Sequence, residues 1–521
     1  MRNTLVCLAL LPAIAAAQDH VHPAGTSDKL GQVSFDITCA PGSRPKFERA
    51  VAMLHSFWFE QANQAFVEIA QTDSTCALAY WGRAITFMGN PMARQSPSPE
   101  RLREGLAFAT RSRELANKAS HREQMYADAA VAYYGDPAGK DHLTRMKLHE
   151  DALDALRRAH PEDMEATIFY ARTVVANASP ADQTFAQQIA AAELLQPLFE
   201  KHPQHPGLAH YLIHAYDAPP IATRGATAAK AYAGIAPDAP HALHMPSHIF
   251  TRLGLWDESI ETNQRSARAE PDSNAAVHPM DYMVYAYLQQ GRERDAKKVI
   301  NRAVLNDDRF YGGILGYNFA AMPARYALER GAWADAATLK LPVNAPPYVR
   351  AITHFARAVG SARSGMTAVA QQEIDSLASI KGELDRAKDS YWATIVEAQR
   401  LAASAWVSLE RRDEAGALRL ARMAADLEET VEKHPVTPGP LLPARELEAD
   451  LLMRLGRHAE ALAAYEKTLN REPRRLRALY GSVQAAHRAG NHDVAHKRHT
   501  ELKELIGKAD ADVAERYKSV K

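Results

Sequence analysis

The apolar positions along this chain recur at the three-to-four spacing of an α-helix, in paired stretches separated by a turn. The segment LGRHAEALAAYEKTLNREPRRLRALYG (455–481) displays the unit: an apolar stripe with a charged outer face, a stop at Pro473, then a second apolar stripe. Nothing reads as a run of alternating strands. The pattern predicts an all-α protein of helix pairs covering most of the chain. Breaks rich in Pro or Gly, GNPMARQSPSPE (89–100), NAPP (344–347) and HPVTPGPLLP (434–443), fall between the helical stretches.

The pairs are also similar to one another. Gly456 and Gly490, and likewise Ala461 and Ala495, stand 34 residues apart. Gly254, Ser259, Asn263 and Pro271 keep the internal spacing of Gly456, Ala461, Tyr465 and Pro473, with Asn263 where a bulky residue is preferred. Ala62, Phe66 and Tyr80-Trp81-Gly82 match Ala461, Tyr465 and Leu479-Tyr480-Gly481, and weaker copies lie at 149–163, 291–300 and 331–339. This period, with its small residue, aromatic residue and closing proline, resembles the tetratricopeptide repeat (TPR). The resemblance implies an α-solenoid, a superhelix of stacked helix-turn-helix repeats with one continuous core and a concave face. Met53-Leu54-His55-Ser56-Phe57, AYWG (79–82), HALHMPSHIF (241–250) and HPVTPGPLLPARE (434–446) are, more narrowly, similar to a group of exported bacterial repeat proteins, a likeness that supplies a fold and no chemistry. The expected organisation is a signal peptide over 1–17, a flexible arm over 18–30, a solenoid over 31–433 and further repeats over 444–510.

Length and charge narrow the picture. The 521 residues are 46% hydrophobic, enough for a sizeable core, and 62 Lys+Arg balance 62 Asp+Glu. No surplus positive field exists to attract nucleic acid or an anionic membrane surface. The opening MRNTLVCLALLPAIAAAQDH combines Arg2, an apolar run and Ala15-Ala16-Ala17, the pattern of an export signal, and no later stretch is long and apolar enough to span a membrane. A periplasmic or secreted protein is expected. Removal of the signal takes Cys7 and leaves Cys39 and Cys76, an even pair in an oxidising compartment, so a disulfide between them is expected over two buried thiols. Cleavage after Ala17 would expose Gln18-Asp19-His20, a possible Cu or Ni motif unless Gln18 cyclises.

The distinctive chemistry lies in PHALHMPSHIFTR (240–252). With a helix starting at Pro240, His241, His244 and His248 share one face. One repeat earlier, Pro206, His210 and His214 repeat the pattern at a step of 34; one repeat later, His278, Asp281 and Tyr285 take the equivalent places. The TPR resemblance places such residues, with Asp217, on the concave face between about 206 and 285, while Tyr80, Trp81 and Trp256 match packing positions. Adjacent helices lie about 8–10 Å apart, within reach of one ion bound about 2 Å from each imidazole nitrogen. His210, His214, His241, His244, His248, His278 and Asp281 are therefore candidate ligands for a divalent Zn, Fe, Mn, Cu or Ni ion. Asp217, Tyr211 and Tyr285 are candidate supports for the rings, and Asp217, Tyr285 and Arg252 candidate ligand-binding residues. Pro246 should kink this helix towards His214, or else begin a new helix and leave His241 and His244 in a loop.

Two functions follow from this groove: a binding or scaffold module for a protein, peptide or small ligand, and a metal-dependent enzyme or metal carrier. The histidines can also form a purely structural polar network. His55 would face the groove too but is expected to pack or bond locally. Zinc-protease, P-loop, dinucleotide and nucleophile-elbow motifs are absent; HEDAL at 149 has Leu153 where a second histidine would stand.

Overall fold

A computed structural model describes residues 29–270, 276–304 and 313–518. The expected signal peptide, all but two residues of the arm, and the Gln18-Asp19-His20 motif lie outside the described residues. Helices run from Ser43–His55 to Ala511–Lys518, and no strand occurs among the described residues. The all-α, TPR-like solenoid is what forms. No described helix is long and apolar enough to cross a membrane.

The repeat signature has a direct packing cause. A Cβ on Gly82 would lie 2.5 Å from the Phe66 ring, and one on Gly481 would lie 2.2 Å from that of Tyr465. The aromatic ring of one helix thus rests on the bare backbone of the next helix, which only glycine allows at that distance. Between the pairs, Ser98, Ser120, Asp141 and Asp163 accept from the backbone N–H of Arg101, Glu123, Thr144 and Ala166, closing helix N-termini. Trp81 and Trp256 are buried in this packing, as their repeat positions predict.

Apolar side chains collect in two large blocks, one built from Leu30 to Phe250 and the other from Trp256 to Tyr517. The histidine-rich segments lie at the seam between them. The C-terminal repeats curl back towards this seam: Trp256 Nε1 donates to Arg474 O at 3.1 Å, and Asp510 N donates to Gly291 O at 3.1 Å. At the other end, Cys39 and Cys76 form the expected disulfide, tying the N-terminal segment to the start of the helix Ala77–Met88.

Candidate metal centre

Three neighbouring helical segments carry the histidines. The helix Pro206–Tyr216 opens with proline in its first turn, where the missing N–H costs nothing, and bears His210 and His214. The segment expected as one kinked helix is split in two, Pro240–His244 and Pro246–Arg252. Met245 between them keeps helical angles, φ −53° and ψ −37°, because Pro246 removes a backbone bond without turning the chain. His241 and His244 are therefore helical and do not lie in a loop. His278 enters from the helix Val277–Gln289.

The six rings sort into two triads that cut across the repeats. His210, His214 and His241 each bring one ring nitrogen to within 4.8 Å of the others, and His244, His248 and His278 do the same. Four ring nitrogens, His210 Nε2, His214 Nε2, His241 Nε2 and His278 Nδ1, are buried with no hydrogen-bond partner. Buried polar atoms are ordinarily satisfied, so four orphans in one cluster demand an explanation. Burial, the largest influence, pushes His210, His214, His241 and His278 well below the ordinary imidazole value and His244 down to about 3; neighbouring imidazoles add to this at each of the five. Neutral rings with free lone pairs are the form that binds metal.

Partners on the far side of three rings fix their tautomers. His210 Nδ1 donates to the His55 carbonyl oxygen at 2.6 Å, His244 Nδ1 to Asn263 Oδ1 at 2.6 Å, and His248 Nδ1 to Asp217 Oδ2 at 2.8 Å. Asn263 is itself oriented by its Nδ2 donating to Ser259 O at 2.6 Å. With Nδ1 protonated in each, the Nε2 lone pairs of His244 and His248 face one another at 3.1 Å. Two nitrogens each about 2.1 Å from one tetrahedral ion stand about 3.4 Å apart, a few tenths of an ångström from the spacing of this pair. Outer carboxylate, carbonyl and amide acceptors of this kind are what orient metal-ligating imidazoles.

Asp217 performs the expected supporting role, and more. Its carboxylate also accepts from Arg252 Nε at 2.9 Å and Lys433 Nζ at 3.0 Å, while Arg252 reaches Glu432 at 2.6 Å. Burial raises the Asp217 carboxyl, but Lys433, Arg252 and His248 outweigh it and hold the group well below its usual range. Arg252, offered as a ligand-binding residue, is buried in this network.

Two expected residues turn elsewhere. Asp281 belongs to neither triad: fully buried, it accepts from Arg325 Nε at 3.1 Å and Asn318 Nδ2 at 3.2 Å, because the guanidinium meets a charge that neutral imidazoles cannot. Tyr285 donates to Glu472 and accepts from Arg475, both at 3.3 Å. Tyr282, one turn earlier, faces the rings instead, 5.0 Å from both His244 and His248. Tyr211 packs on His210 at 5.0 Å, but its hydroxyl meets His55 Nδ1 at 3.0 Å.

The break HPVTPGPLLP is a strap across the groove. Glu432 N donates to Pro180 O at 2.8 Å, Tyr282 donates to Thr437 O at 3.2 Å, and Asn318 donates to Val436 O at 3.1 Å. Arg325 donates to the carbonyl oxygens of Gly439 and Pro440, both at 2.7 Å. This part of the concave face is thus covered by the chain itself.

A further cluster escaped the sequence reading. Glu165 bridges His55 Nε2 at 2.9 Å and His205 Nε2 at 2.8 Å, all three residues being buried. Burial works to raise this carboxyl, but the two imidazoles prevail and hold it at about 2. His55 therefore bonds across 110 and 156 residues rather than locally. All three side chains are satisfied here, unlike the orphaned nitrogens of the triads.

No family model matches the sequence, and no curated protein matches it. Among solved structures, human IFIT1 bound to PPP-AAAA is similar with 12% identity and a TM-score of 0.39 over 88% of this chain and 89% of that one. Yeast Tom70 is similar with 12% identity and a TM-score of 0.28 over 92% and 94%, and the APC/C hetero-tetramer Cut9–Hcn1 with 10% and 0.37 over 92% and 84%. Identity and superposition are both low, and nothing about what this chain binds follows from them.

Proposed function

We propose that the histidine groove is a transition-metal centre, with His210, His214 and His241 as one ligand triad and His244, His248 and His278 as the other. The observation that carries this reading is the pair of facing Nε2 lone pairs on His244 and His248, 3.1 Å apart, each fixed by a donor bond on the opposite side of its ring. Two such lone pairs repel unless a proton or a metal ion lies between them, and burial disfavours the added proton on either ring. Neutral imidazole donors suit zinc, copper, iron and nickel, of which copper binds such a site most tightly, while manganese prefers the carboxylate oxygens that Asp281 withholds by pairing with Arg325. Three protein ligands leave a position open for water or substrate, the arrangement of catalytic rather than structural sites. A metal-dependent enzyme or metal carrier therefore stands ahead of a peptide-binding scaffold, since the strap occupies the groove that a peptide would need. The Cys39–Cys76 disulfide supports work in an oxidising, exported compartment.

Elemental analysis of untagged protein isolated from its own compartment is the test. Near-stoichiometric copper or zinc, reduced in a His244→Ala/His248→Ala variant, is the expected result. Protein that is isolated metal-free and takes up neither ion at micromolar concentration overturns the reading.

A further inference from the structure

Resting on that reading, we infer that the two triads form one dinuclear centre whose two metal ions share a small bridging anion of the size of hydroxide or azide. Spacing is the first argument. Within the triads the ring centroids of His210 and His214 lie 4.9 Å apart, those of His210 and His241 5.1 Å, and those of His248 and His278 6.1 Å. Between the triads, His214 and His248 lie 5.7 Å apart and His241 and His244 5.9 Å. With His244 at 5.0 Å from His248 and 4.4 Å from His278, the gaps between triads exceed most of those inside them but stay below the widest, 6.1 Å, so the six imidazoles form two groups in ring contact with each other. Moreover, His241 and His244 belong to opposite triads yet share the one-turn helix Pro240–His244, which fixes the two sites against each other.

Charge supplies the bridging ligand's class. Two like-charged ions side by side repel strongly in a buried setting, and an anion between them relieves this. Neither triad contains a carboxylate. Asp217, which supports His248, is already paired with Lys433 and Arg252. Lys433 and Arg252 are balanced by Asp217 and Glu432, so this network has no carboxylate to spare for the ions and the compensating negative charge must come from the bound ligand. The crowded, strap-covered setting admits a small one. A shared ligand with exchangeable positions on both ions is also how paired metal sites activate water or clamp a substrate between two centres.

Copper(II) titration of the full-length, metal-stripped protein tests this, followed by metal counting, electron paramagnetic resonance and azide addition. The expected result is two coppers per chain, with the signal lost or replaced by a spin-coupled one as the second equivalent binds, and with azide shifting the optical spectrum at one azide per copper pair. A His210→Ala/His214→Ala variant should hold one copper with its full uncoupled signal. Two coppers whose signals simply add in the wild type, unaffected by azide, overturn the dinuclear centre while leaving metal binding intact. Absence of copper binding overturns the dinuclear centre, and uptake of neither copper nor zinc overturns the metal reading as well.

Discussion

The ring of His210 is oriented by a residue 155 positions earlier in the chain: its Nδ1 donates to the carbonyl oxygen of His55 at 2.6 Å. That carbonyl is in turn placed by the His55 side chain, which Glu165 and Tyr211 grip from either side. The ring fits only because Gly207 is bare, since a Cβ there would lie 2.7 Å from His55 Nδ1 and 2.8 Å from its Cγ. Gly207→Ala is expected to displace a ring that has no freedom to yield, at about 1–3 kcal/mol of stability. It should also weaken metal uptake by the His210 triad more than by the His244 triad. Thermal unfolding and competitive metal titration read the two effects.

Asn263 supports the other triad. Asn263→Ala strips the acceptor from His244 Nδ1 and frees the ring to choose the tautomer that points a proton at the metal position. Loss of such a supporting contact lowers metal affinity about 10–100-fold. Competition against a chelator of known affinity measures it, and unchanged affinity would show that His244 is no ligand.

Glu165 governs acid sensitivity. Its carboxyl is held at about 2 against an ordinary 4.5, so between those values the unfolded chain binds more protons than the folded one. This contribution is therefore complete above about pH 4.5 and is lost as the pH drops through that window, by up to about 3 kcal/mol, on top of the loss that the depressed groove imidazoles impose as the unfolded chain's histidines protonate below about 6.5. Glu165→Gln should be less stable at neutral pH by about 3–5 kcal/mol, having left two buried imidazoles without their anion. It should also lack the part of the slope that lies between about pH 4.5 and 2 and belongs to this carboxyl. Urea denaturation at a series of pH values checks both.

Arg325 latches the strap. Arg325→Met leaves Asp281 buried without its cation and releases the carbonyl oxygens of Gly439 and Pro440. A cost of about 3–5 kcal/mol is expected. Hydrogen exchange should rise first in residues 434–443, before the helices on either side.

The Cys39–Cys76 bridge closes a loop with a sequence separation of 37. Its removal in a Cys39→Ser/Cys76→Ser variant is expected to lower stability by about 2–4 kcal/mol through the added freedom of the unfolded chain. Denaturation of wild type with and without reductant should reproduce the difference.

The histidine cluster was legible because repetition converts sequence distance into spatial position: a step of 34 residues placed His210 and His214 beside His244 and His248 without any knowledge of side-chain packing. The same logic misjudged Asp281 and Tyr285. It gives a helix face but not the competing partner, and Arg325 and Arg475 approach from elements that no repeat relates to the groove. Asn263 did leave a trace, since it stands where the repeat prefers an aromatic residue. That break in the packing rule marks the acceptor for His244. His55 was placed on the groove by its repeat position, but its meeting with Glu165 and His205 left no trace: three segments without common spacing meet only in the folded chain. The strap looked like an ordinary interruption because proline and glycine signal that a helix ends, not where the connecting segment then lies.

That strap bears on how the protein is made. Translation delivers residues 206–278, and with them all six imidazoles, well before Glu432 and the segment that follows it. A chain that has folded only as far as residue 278 therefore lacks the segment that covers its histidines. Once the C-terminal repeats curl back, the segment is held by bonds to Asp217, Asn318 and Arg325 together. Order along the chain thus makes the cover of the cluster the last part of it to be supplied, and truncation before Glu432 removes the cover while keeping every imidazole.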